Sequence, residues 1–304
     1  MQLAASPYLT SDILKKLPLL KKSTIQLLRF HFSLFLLPVF LFALSQSKYV
    51  DWNAALLAFF IWHFLVYPSS NGYNAYMDRD TESIGGVQHP LPPTSQLLQV
   101  ALVLDIVACL LSVLVSWIFV CGIIAYIIAS RAYSARNIRL KQYPVIGYLT
   151  VIIFQGALTY FLVYHGASVE KNTGIPYTGM LAAMLLIGGF YPLTQIYQHD
   201  TDRKDGVTTI SMLLGYRGTF VFTAIVYTCA MGVLYLHFAA AGQTKDFFIL
   251  ATIMLPVLVY FFYWAGRVWK NIRAADFRNA MRMNILASAC TISGFLIILT
   301  RRLF

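Results

Sequence analysis

Two short stretches concentrate amide and carboxylate side chains in a chain that is otherwise strongly apolar. The first of them, NGYNAYMDRDTESIGG, covers residues 71–86. If this stretch continues as a helix, at about 100° per residue, Asn74, Asp78 and Glu82 share one face and Asp80 points to the opposite side. Their oxygen atoms, one turn apart, are the kind of ligand that Mg²⁺ prefers. We therefore expect a metal-binding stripe formed by Asn74, Asp78 and Glu82.

The second stretch, YPLTQIYQHDTDRKDG, covers residues 191–206. A continuous helix here places Gln195, Gln198 and Asp202 on a shared face. Asp205 then lies about 80° away from Asp202, and Asp200 points away from the face altogether. Two such stripes, facing each other, would bind hard divalent cations and, through them, a diphosphate. The metal would neutralise the negative charge that develops on a diphosphate leaving group.

Each cluster also has a simpler explanation, because a membrane helix becomes polar where it reaches water. Both clusters, however, carry acids and amides matched to one helical face, and both fall on the same predicted side of the membrane. That agreement favours one shared binding site over two unrelated helix ends.

The composition predicts that helices position these clusters within a membrane. The chain has 304 residues, of which 59% are hydrophobic and only 12% are charged, about half the charged fraction of a soluble domain. Apolar runs of ~18 residues or more indicate transmembrane helices. We expect an all-α membrane protein with nine spans, although little loop separates the third from the fourth. The spans are predicted at 24–44, 53–73, 96–114, 117–133, 143–164, 179–198, 218–240, 247–266 and 283–300.

The placement of positive charge supports this topology. With the N-terminus in the cytoplasm, 18 of the 23 Lys and Arg residues fall on the cytoplasmic side and five on the other, as the positive-inside rule expects. The net charge of +11 therefore suits an anionic membrane surface and needs no nucleic acid. We expect one integral-membrane domain over 1–304, with a cytoplasmic lead at 1–22, in a bacterial inner membrane with both polar clusters facing the cytoplasm.

Two ionisable residues fall within apolar runs, where such groups are functional candidates by default. Arg29 lies early in the first predicted span, close enough to the interface for its side chain to reach water. Asp105 lies deep in the third span. It is either a buried hydrogen-bonding residue or a catalytic base, and we favour the structural role.

Three further segments complete a family resemblance. They are HPLPPT at 89–94, AYSARNIRLKQYPVIGYL at 132–149 and DRKDGVTTI at 202–210. Together with the two acidic motifs, they resemble the UbiA superfamily of intramembrane prenyltransferases over almost the whole chain. The resemblance implies a bundle of nine transmembrane helices around a central cavity. It also implies the transfer of a prenyl group from an isoprenyl diphosphate to an acceptor, with Mg²⁺ as the cofactor.

The chain departs from the family pattern at three positions. Gln198 stands where the second motif has its first Asp, Ala75 replaces an Asp often found after the motif Asn, and His89 replaces a common Arg. Because an amide oxygen carries no full charge, Gln198 would bind Mg²⁺ less tightly than a carboxylate does.

The resemblance also implies roles for individual residues, with the diphosphate held by both metal ions and basic side chains. The expected metal ligands are Asn74, Asp78, Glu82, Gln198 and Asp202. All of these except Gln198 are also expected to be catalytic. The expected diphosphate contacts are Arg29, Tyr133, Arg139, Lys141 and Lys204.

Three functions remain open at this point. The first is a Mg²⁺-dependent prenyltransferase that acts on an aromatic or other lipid-precursor acceptor in the membrane, the acceptor itself being unknown. The second is a membrane terpene cyclase of the same superfamily, which would use the prenyl diphosphate alone. The third is a transporter, which is less favoured because transporters place their ion sites near the bilayer midplane.

Overall fold

A computed structural model describes residues 20–303 of the chain, so most of the predicted lead at 1–22 lies outside the described residues. All the secondary-structure elements named in the described part are helices, which confirms the all-α prediction. We number them in chain order: α1 Lys22–Leu28, α2 Leu37–Gln46, α3 Trp52–Asp78, α4 Ser95–Ser112, α5 Trp117–Ser134, α6 Pro144–Gly166, α7 Tyr177–Gln195, α8 His199–Lys204, α9 Ile210–Ala240, α10 Thr244–Ile253, α11 Leu255–Lys270 and α12 Phe277–Leu303.

Seven of the described helices are long and apolar enough to cross a membrane: α3, α4, α5, α6, α7, α9 and α12. Two further stretches reach that length only as bent pairs. The segment Lys22–Phe35 meets α2 at 41°, and α10 meets α11 at 43°. The described residues therefore contain seven to nine candidate spans, depending on whether each bent pair counts as one.

The short connection between the third and fourth predicted spans is a tight turn. α4 ends at Ser112 and α5 begins at Trp117. The Ser116 side chain caps α5, because its Oγ accepts a hydrogen bond from the Phe119 N–H at 3.1 Å. An N-terminal serine cap satisfies a backbone donor that would otherwise lack a partner, so four residues suffice to separate the two spans.

The helices pack around large buried rings and close glycine contacts. Phe42 of α2 is fully buried and lies 4.8 Å from the ring of Tyr160 in α6 and 4.9 Å from that of Phe295 in α12. In α6, Gly156 lies so close to α7 that a Cβ there would be 2.8 Å from the Met184 Cα. Close approach of this kind is the usual reason for a small residue between membrane helices.

Two of the spans contain a turn of π-helix, in which each backbone hydrogen bond joins residues five apart instead of four. One covers Ile61–Val66 within α3, and the other covers Ile152–Leu158 within α6. Such turns re-aim side chains and are frequent at functional sites. The turn in α6 includes Gln155, which lines a cavity described below.

Three arginines adopt a left-handed backbone conformation next to the polar clusters. Arg29 (φ 49°) ends α1, Arg79 (φ 55°) ends α3, and Arg139 (φ 51°) follows α5. A non-glycine residue in this region costs about 1–2 kcal/mol and persists where the surrounding structure over-determines it. These three arginines therefore lie at fixed turns of the chain, all at the same end of the bundle.

Candidate functional site

The two polar clusters meet at one end of the helical bundle. The loop after α3 contacts α8 through side chains: Thr201 Oγ1 donates to Glu82 Oε2 at 2.6 Å, and Lys204 Nζ donates to Glu82 Oε1 at 2.9 Å. Gln198 Nε2 also donates to the Ser83 carbonyl at 3.3 Å. The ends of α3 and α7 are thus close enough to contribute to one site, which is the arrangement that the two matched stripes predict.

Between them lies a cavity of about 140 Å³, which we call the acidic cavity. Four aspartates line it: Asp78 and Asp80 from the first cluster, and Asp202 and Asp205 from the second. Amide and hydroxyl groups complete the polar part of the lining. They belong to Asn74, Tyr133, Tyr191, Thr194, Gln195, Tyr197, Gln198, Thr201 and Thr209.

Two basic side chains from the connection between α5 and α6 pair with the aspartates of this cavity, and one of them, Lys141, also lines it. Lys141 Nζ lies 2.5 Å from Asp78 Oδ1. Arg139 pairs closely with Asp205, and its guanidinium is also 3.9 Å from Asp78 Oδ1. Arg139 thereby links a carboxylate of the first cluster to a carboxylate of the second. These contacts bring the predicted residues Arg139, Lys141 and Asp78 together.

Two carboxylates of the acidic cavity, those of Asp80 and Asp202, are held in an environment that disfavours their charge. Burial raises the pKa of Asp202 to about 7; the positive charge of Lys141 opposes this rise, and the neighbouring aspartates add to it. Burial followed by repulsion from Asp78 raises the pKa of Asp80 to about 6. Asp202 Oδ2 is also buried without a hydrogen-bond partner. A bound cation would supply the missing partner and stabilise the ionised form.

The first cluster differs from the predicted stripe because α3 ends at Asp78. The left-handed Arg79 terminates the helix, so the chain beyond it no longer follows the 100° rule. As a result Asp80 lines the acidic cavity instead of pointing away, which corrects that part of the sequence analysis. Glu82 lies on the rim, about half exposed, and pairs with Lys204. Neither Glu82 nor Lys204 is among the described residues that line the cavity, so their roles at the metal and diphosphate stay predictions.

The second cluster is also not one continuous helix. α7 ends at Gln195 and α8 begins at His199, with Gln198 in the turn between them. This break lets Gln195, Gln198, Asp202 and Asp205 all line the acidic cavity, although a straight helix would turn Asp205 aside. Asp200 points away as expected: its side chain is 75% exposed, pairs with Arg203 and does not line the acidic cavity.

Arg29 and Tyr133 line both the acidic cavity and a second polar cavity, which is described below. Arg29 is buried, and its guanidinium donates to the Gly85 carbonyl and to Asn71 Oδ1, both at 3.2 Å. The Tyr133 hydroxyl is hydrogen-bonded to that of Tyr191 in α7. Both predicted residues are therefore in reach of a ligand in the acidic cavity.

Asp105 has the structural contacts that the sequence analysis favours. Its carboxylate pairs with Arg131 of α5 and accepts a hydrogen bond from Ser69 Oγ at 2.6 Å. The Arg131 guanidinium also lies over the ring of Tyr73, 4.1 Å from its centroid. The pair links α3, α4 and α5. Neither residue lines the acidic cavity or the second polar cavity described below.

The donor set of the acidic cavity matches the coordination chemistry of Mg²⁺. Among residues 20–303, no three His, Cys, Asp or Glu side chains are arranged to hold a metal ion unaided. Mg²⁺, however, is usually bound by one or two carboxylates and completes its shell with water and substrate phosphates. Asp78 and Asp202, one from each cluster, therefore suit an ion that is shared with a bound phosphate.

Two further cavities lie between the described helices. One, of about 130 Å³, lies between α3, α5 and α6 and shares Arg29, Asn74, Tyr133 and Tyr191 with the acidic cavity. We call it the hydroxyl chamber, after Ser70, Ser130, Ser134, Thr150, Tyr126, Tyr133 and Tyr191. The other, of about 350 Å³, is lined mostly by apolar groups of α7 and α9–α12, including Phe190. Although it is the largest of these three cavities, its described lining contains no Asp, Glu, Lys, Arg or His.

Comparisons with known proteins agree with the fold. The model of the UbiA prenyltransferase family matches residues 34–286. No curated protein sequence matches the chain. Three similar solved structures are UbiA homologues. One from Archaeoglobus fulgidus, bound to DMAPP and Mg²⁺, is 17% identical, with 92% of this chain and 99% of that chain covered and a TM-score of 0.67.

The other two solved structures show the same fold. The Archaeoglobus fulgidus homologue bound to GPP and Mg²⁺ is 17% identical, with 92% of this chain and 100% of that chain covered and a TM-score of 0.65. The apo structure of a homologue from Aeropyrum pernix K1 is 18% identical, with 88% and 98% covered and a TM-score of 0.66. Because the family model spans most of the sequence, the chain belongs to the UbiA prenyltransferase family.

Proposed function

We propose that the protein transfers a prenyl group from an isoprenyl diphosphate to an acceptor within the membrane, in a reaction that depends on Mg²⁺. One observation carries the proposal: both acidic clusters and Lys141 line one cavity, and Arg139 pairs with two of its aspartates. The homologue structures bound to DMAPP or GPP together with Mg²⁺ support the choice of donor and metal.

In this proposal Asn74, Asp78, Gln198 and Asp202 hold Mg²⁺ through their side-chain oxygens, and Asp80 is added to the set because it lines the same cavity. When bound, Mg²⁺ neutralises the charge that develops on the departing diphosphate. Glu82 remains a proposed ligand that would have to leave Thr201 and Lys204 to take part.

The basic residues complete the diphosphate site. Arg139 is paired with Asp205 and Lys141 with Asp78. A metal held by Asp78 would leave Lys141 free for the phosphate oxygens, and Arg139 would offer them its Nε–H, which has no hydrogen-bond partner. Arg139 offers a planar fork and Lys141 a compact charge. Arg29 and Tyr133 approach from the deeper side of the cavity. Lys204, on the rim, is proposed to contact phosphate only if it leaves Glu82.

The transfer step then follows from the positions of these groups. The bond between C1 of the prenyl group and the diphosphate oxygen breaks, and its electron pair leaves with the diphosphate. The allylic carbocation that remains forms a new bond to the acceptor, which loses one proton. Aromatic rings at the junction of the two cavities, including Tyr133 and Tyr191, stabilise the cation over their faces.

A terpene cyclase is the second candidate. It is favoured by one observation, the uncharged Gln198 at a position where the family carries Asp. A cyclase would consume the prenyl diphosphate without a second substrate and release a hydrocarbon or a terpene alcohol. The transporter hypothesis has less support, since the clusters lie at the ends of the spans, where transporter sites are uncommon.

For the topology we propose nine spans, with each bent pair crossing once, and with the N-terminus and the acidic cavity on the cytoplasmic side of a bacterial inner membrane. Lys245 at the start of α10 and Lys270 at the end of α11 should then lie on opposite faces. Single cysteines at these positions, in a variant without the four native ones, should react with an impermeant reagent from opposite sides. Labelling from the same side would contradict the topology.

The function is tested by measuring diphosphate release from geranyl diphosphate in reconstituted protein. Release should require Mg²⁺ and an acceptor. It should fall about 100-fold or more in Asp78→Asn and Asp202→Asn, as is typical when a charge-stabilising group is removed. Asp200→Asn is the matched control, because this aspartate is exposed and points away from the cavity. Unchanged release in both Asp78→Asn and Asp202→Asn would refute the proposal.

A further inference from the structure

The cavity of about 350 Å³ between α9 and α11 takes no part in the proposed transfer. We call it the apolar cavity. Among the described residues, none that lines it also lines one of the two polar cavities. Leu255, Leu258 and Phe262 form its rim and are exposed on the surface of α11. The apolar cavity therefore opens sideways, toward the surroundings of the bundle.

The bend between α10 and α11 lies at this cavity. The two helices meet at 43°, and Ala251, Met254 and Leu255 at the bend all line the cavity. An engineered cavity of ~150 Å³ accommodates one benzene ring, so the apolar cavity has room for about twelve carbons of a hydrocarbon chain. Its rim carries large side chains instead of the small ones that let membrane helices approach closely. That rim favours a flexible chain over a second helix as the occupant.

Arg217 lies at one end of the apolar cavity. The lining residues Ala224 and Tyr227 follow one stripe of α9, and Arg217 continues that stripe about two turns nearer the start of the helix. Its exposed side chain donates to the Trp269 carbonyl, near the end of α11, at 2.8 Å. The arginine thus joins the two helices that form the walls of the cavity. A guanidinium has five N–H groups, so others remain for an anion.

The positive charge at this end is not neutralised within the described part of the chain. The connection 267–282 contains five basic residues and one acidic residue, Asp276. No described carboxylate forms an ion pair with Arg217 or with any of these five. Beside the acidic cavity, in contrast, Arg139 and Lys141 both have acidic partners. The end of the apolar cavity therefore suits an anionic partner from the membrane surface.

A buried hydroxyl lies between the arginine and the deeper part of the apolar cavity. Thr223 lines the cavity, is 3% exposed, and has no described hydrogen-bond partner for its Oγ1. Thr228, on the same helix, instead donates to the Ala224 carbonyl at 2.8 Å, a common arrangement for a hydroxyl within a helix. Since an unpaired hydroxyl is costly in apolar surroundings, Thr223 indicates a ligand with an acceptor at this depth. The ester carbonyl of a glycerolipid, between its phosphate and its acyl chain, is such an acceptor.

We propose that the apolar cavity and Arg217 bind one anionic phospholipid from the surrounding bilayer. An acyl chain fills the apolar cavity, an ester carbonyl accepts a hydrogen bond from Thr223, and the phosphate contacts Arg217. The basic connection 267–282 favours a lipid with net negative charge over a zwitterionic lipid, whose cationic group it repels. The site is separate from the proposed transfer reaction and does not depend on it.

The test counts lipids bound to the full-length protein in detergent by native mass spectrometry. The probes are palmitoyl-oleoyl phosphatidylglycerol and the phosphatidylcholine with the same chains. We expect the first phosphatidylglycerol to bind at least about fivefold more tightly than phosphatidylcholine, the typical contribution of one basic residue near an anionic lipid. Glycerol phosphate, which has no acyl chain, should not displace it even in large excess. Equal affinity for the two lipids, or displacement by glycerol phosphate, would overturn the proposal.

Charge variants connect the lipid preference to Arg217. Arg217→Gln should weaken phosphatidylglycerol about fivefold and leave phosphatidylcholine unchanged, whereas Arg217→Lys keeps the charge and should retain most of the preference. Arg136→Gln is the matched control, because both arginines are exposed and donate to a carbonyl near a helix end at 2.8 Å. Arg136 does not line the apolar cavity. An unchanged preference in Arg217→Gln, or an equal loss in Arg136→Gln, would contradict the role of Arg217.

Variants inside the apolar cavity test the position of the chain. Ala224→Phe fills the cavity and should weaken both lipids about tenfold or more, whereas Ala240→Phe, on the exposed last turn of α9, should not. Thr223→Val removes the hydroxyl at nearly constant size and should weaken both lipids about threefold to tenfold. Because thermal unfolding is measured first, Thr223→Val decides the question if the added ring prevents folding. Unchanged lipid binding in the folded cavity variants would overturn the proposal.

The same spectra identify two other possible occupants. Displacement of phosphatidylglycerol by geranyl thiolodiphosphate would place a prenyl tail in the apolar cavity. A protein dimer that phosphatidylglycerol dissociates, and that Ala224→Phe abolishes, would place a second copy of the chain on this face. Either result would overturn the assignment to a phospholipid. We expect neither, because the apolar cavity shares no described lining residue with the acidic cavity and has a rim of large side chains.

Discussion

Lys141 Nζ lies 2.5 Å from Asp78 Oδ1, and both side chains are largely buried, with exposed fractions of 11% and 5%. This ion pair joins the segment after α5 to the end of α3. It means that, without a metal, the cation nearest the Asp78 carboxylate is a lysine. A metal and Lys141 compete for the same oxygen, whereas Lys141 and a diphosphate attract each other.

Because of this competition, we expect removal of the Lys141 charge to affect Mg²⁺ binding and donor-analogue binding in opposite directions. Lys141→Met should leave Mg²⁺ binding without a donor equal to that of the wild type or tighter, because a competing cation is removed. It should weaken Mg²⁺-dependent binding of geranyl thiolodiphosphate by about 10- to 100-fold, the value of one hydrogen bond to a charged group. Calorimetric titrations measure the affinity for Mg²⁺ and the affinity for the donor analogue. Lys270→Met, at the exposed end of α11, is the control. Loss of metal binding in parallel with analogue binding would contradict the competition.

The identity of the third carboxylate of the first cluster can be tested directly. Asp80 lines the acidic cavity, whereas Glu82 is bound on the rim to Thr201 and Lys204. We therefore expect Asp80→Asn to raise the Mg²⁺ concentration needed for half-maximal analogue binding by ~10-fold or more. Glu82→Gln should raise it by less than about fivefold, since an exposed ion pair contributes about 1 kcal/mol at most. The reverse order would restore Glu82 as the metal ligand.

The Asp105–Arg131 pair should govern stability rather than chemistry. Asp105→Asn leaves Arg131 without its counter-ion in a buried setting, and we expect a loss of about 3–5 kcal/mol. The double variant Asp105→Asn/Arg131→Met should recover part of that loss. The exposed pair of Asp200 and Arg203 provides the comparison, because Asp200→Asn should cost less than about 1 kcal/mol. Thermal unfolding in lipid nanodiscs measures all three, and equal costs at the two aspartates would contradict this role.

The contact between α6 and α7 should tolerate no added side chain. A Cβ at Gly156 would lie 2.8 Å from the Met184 Cα, and backbone atoms cannot move aside as a flexible side chain does. Gly156→Ala should therefore cost about 1–3 kcal/mol by overpacking.

A second glycine provides the control for this substitution. Gly232 lies within α9, and a Cβ added there would meet no atom within 4 Å. Gly232→Ala should be neutral or stabilise the protein by about 0.5–1 kcal/mol, since alanine restricts the unfolded chain. Unfolding temperatures compare the pair, and a Gly156→Ala variant as stable as Gly232→Ala would show that α6 and α7 are not in fixed contact.

The apolar runs were sufficient to predict the helical membrane fold, because helices satisfy their own backbone hydrogen bonds in lipid. The two bends were not predicted, although each one is followed by a proline, Pro38 in α2 and Pro256 in α11. Proline disfavours a helical residue before it and removes a backbone donor. The sequence signal for the bends was therefore present.

The site was predicted in part, and the part that was missed has a clear origin. Helical spacing selected Asn74, Asp78 and Asp202, which all line the acidic cavity. It excluded Asp80 and placed Asp205 to one side, because it assumed that both helices continue. No glycine or proline marks the stop at Arg79, and the long-range contacts at this helix end, from Arg136 to the Met77 and Asp78 carbonyls, are not visible in local spacing. The break after Gln195 likewise depends on packing between distant segments, which local spacing does not report.

The central claim is that the ends of α3 and α7 hold one metal-bound diphosphate between them. It is tested most directly by a structure of the full-length protein with geranyl thiolodiphosphate and Mn²⁺ in place of Mg²⁺, in which anomalous scattering locates the metal. The account predicts metal density within coordinating distance of both Asp78 and Asp202, with the diphosphate next to Lys141 and Arg139. Metal and diphosphate bound to one cluster alone, or in the apolar cavity beside Phe190, would contradict it.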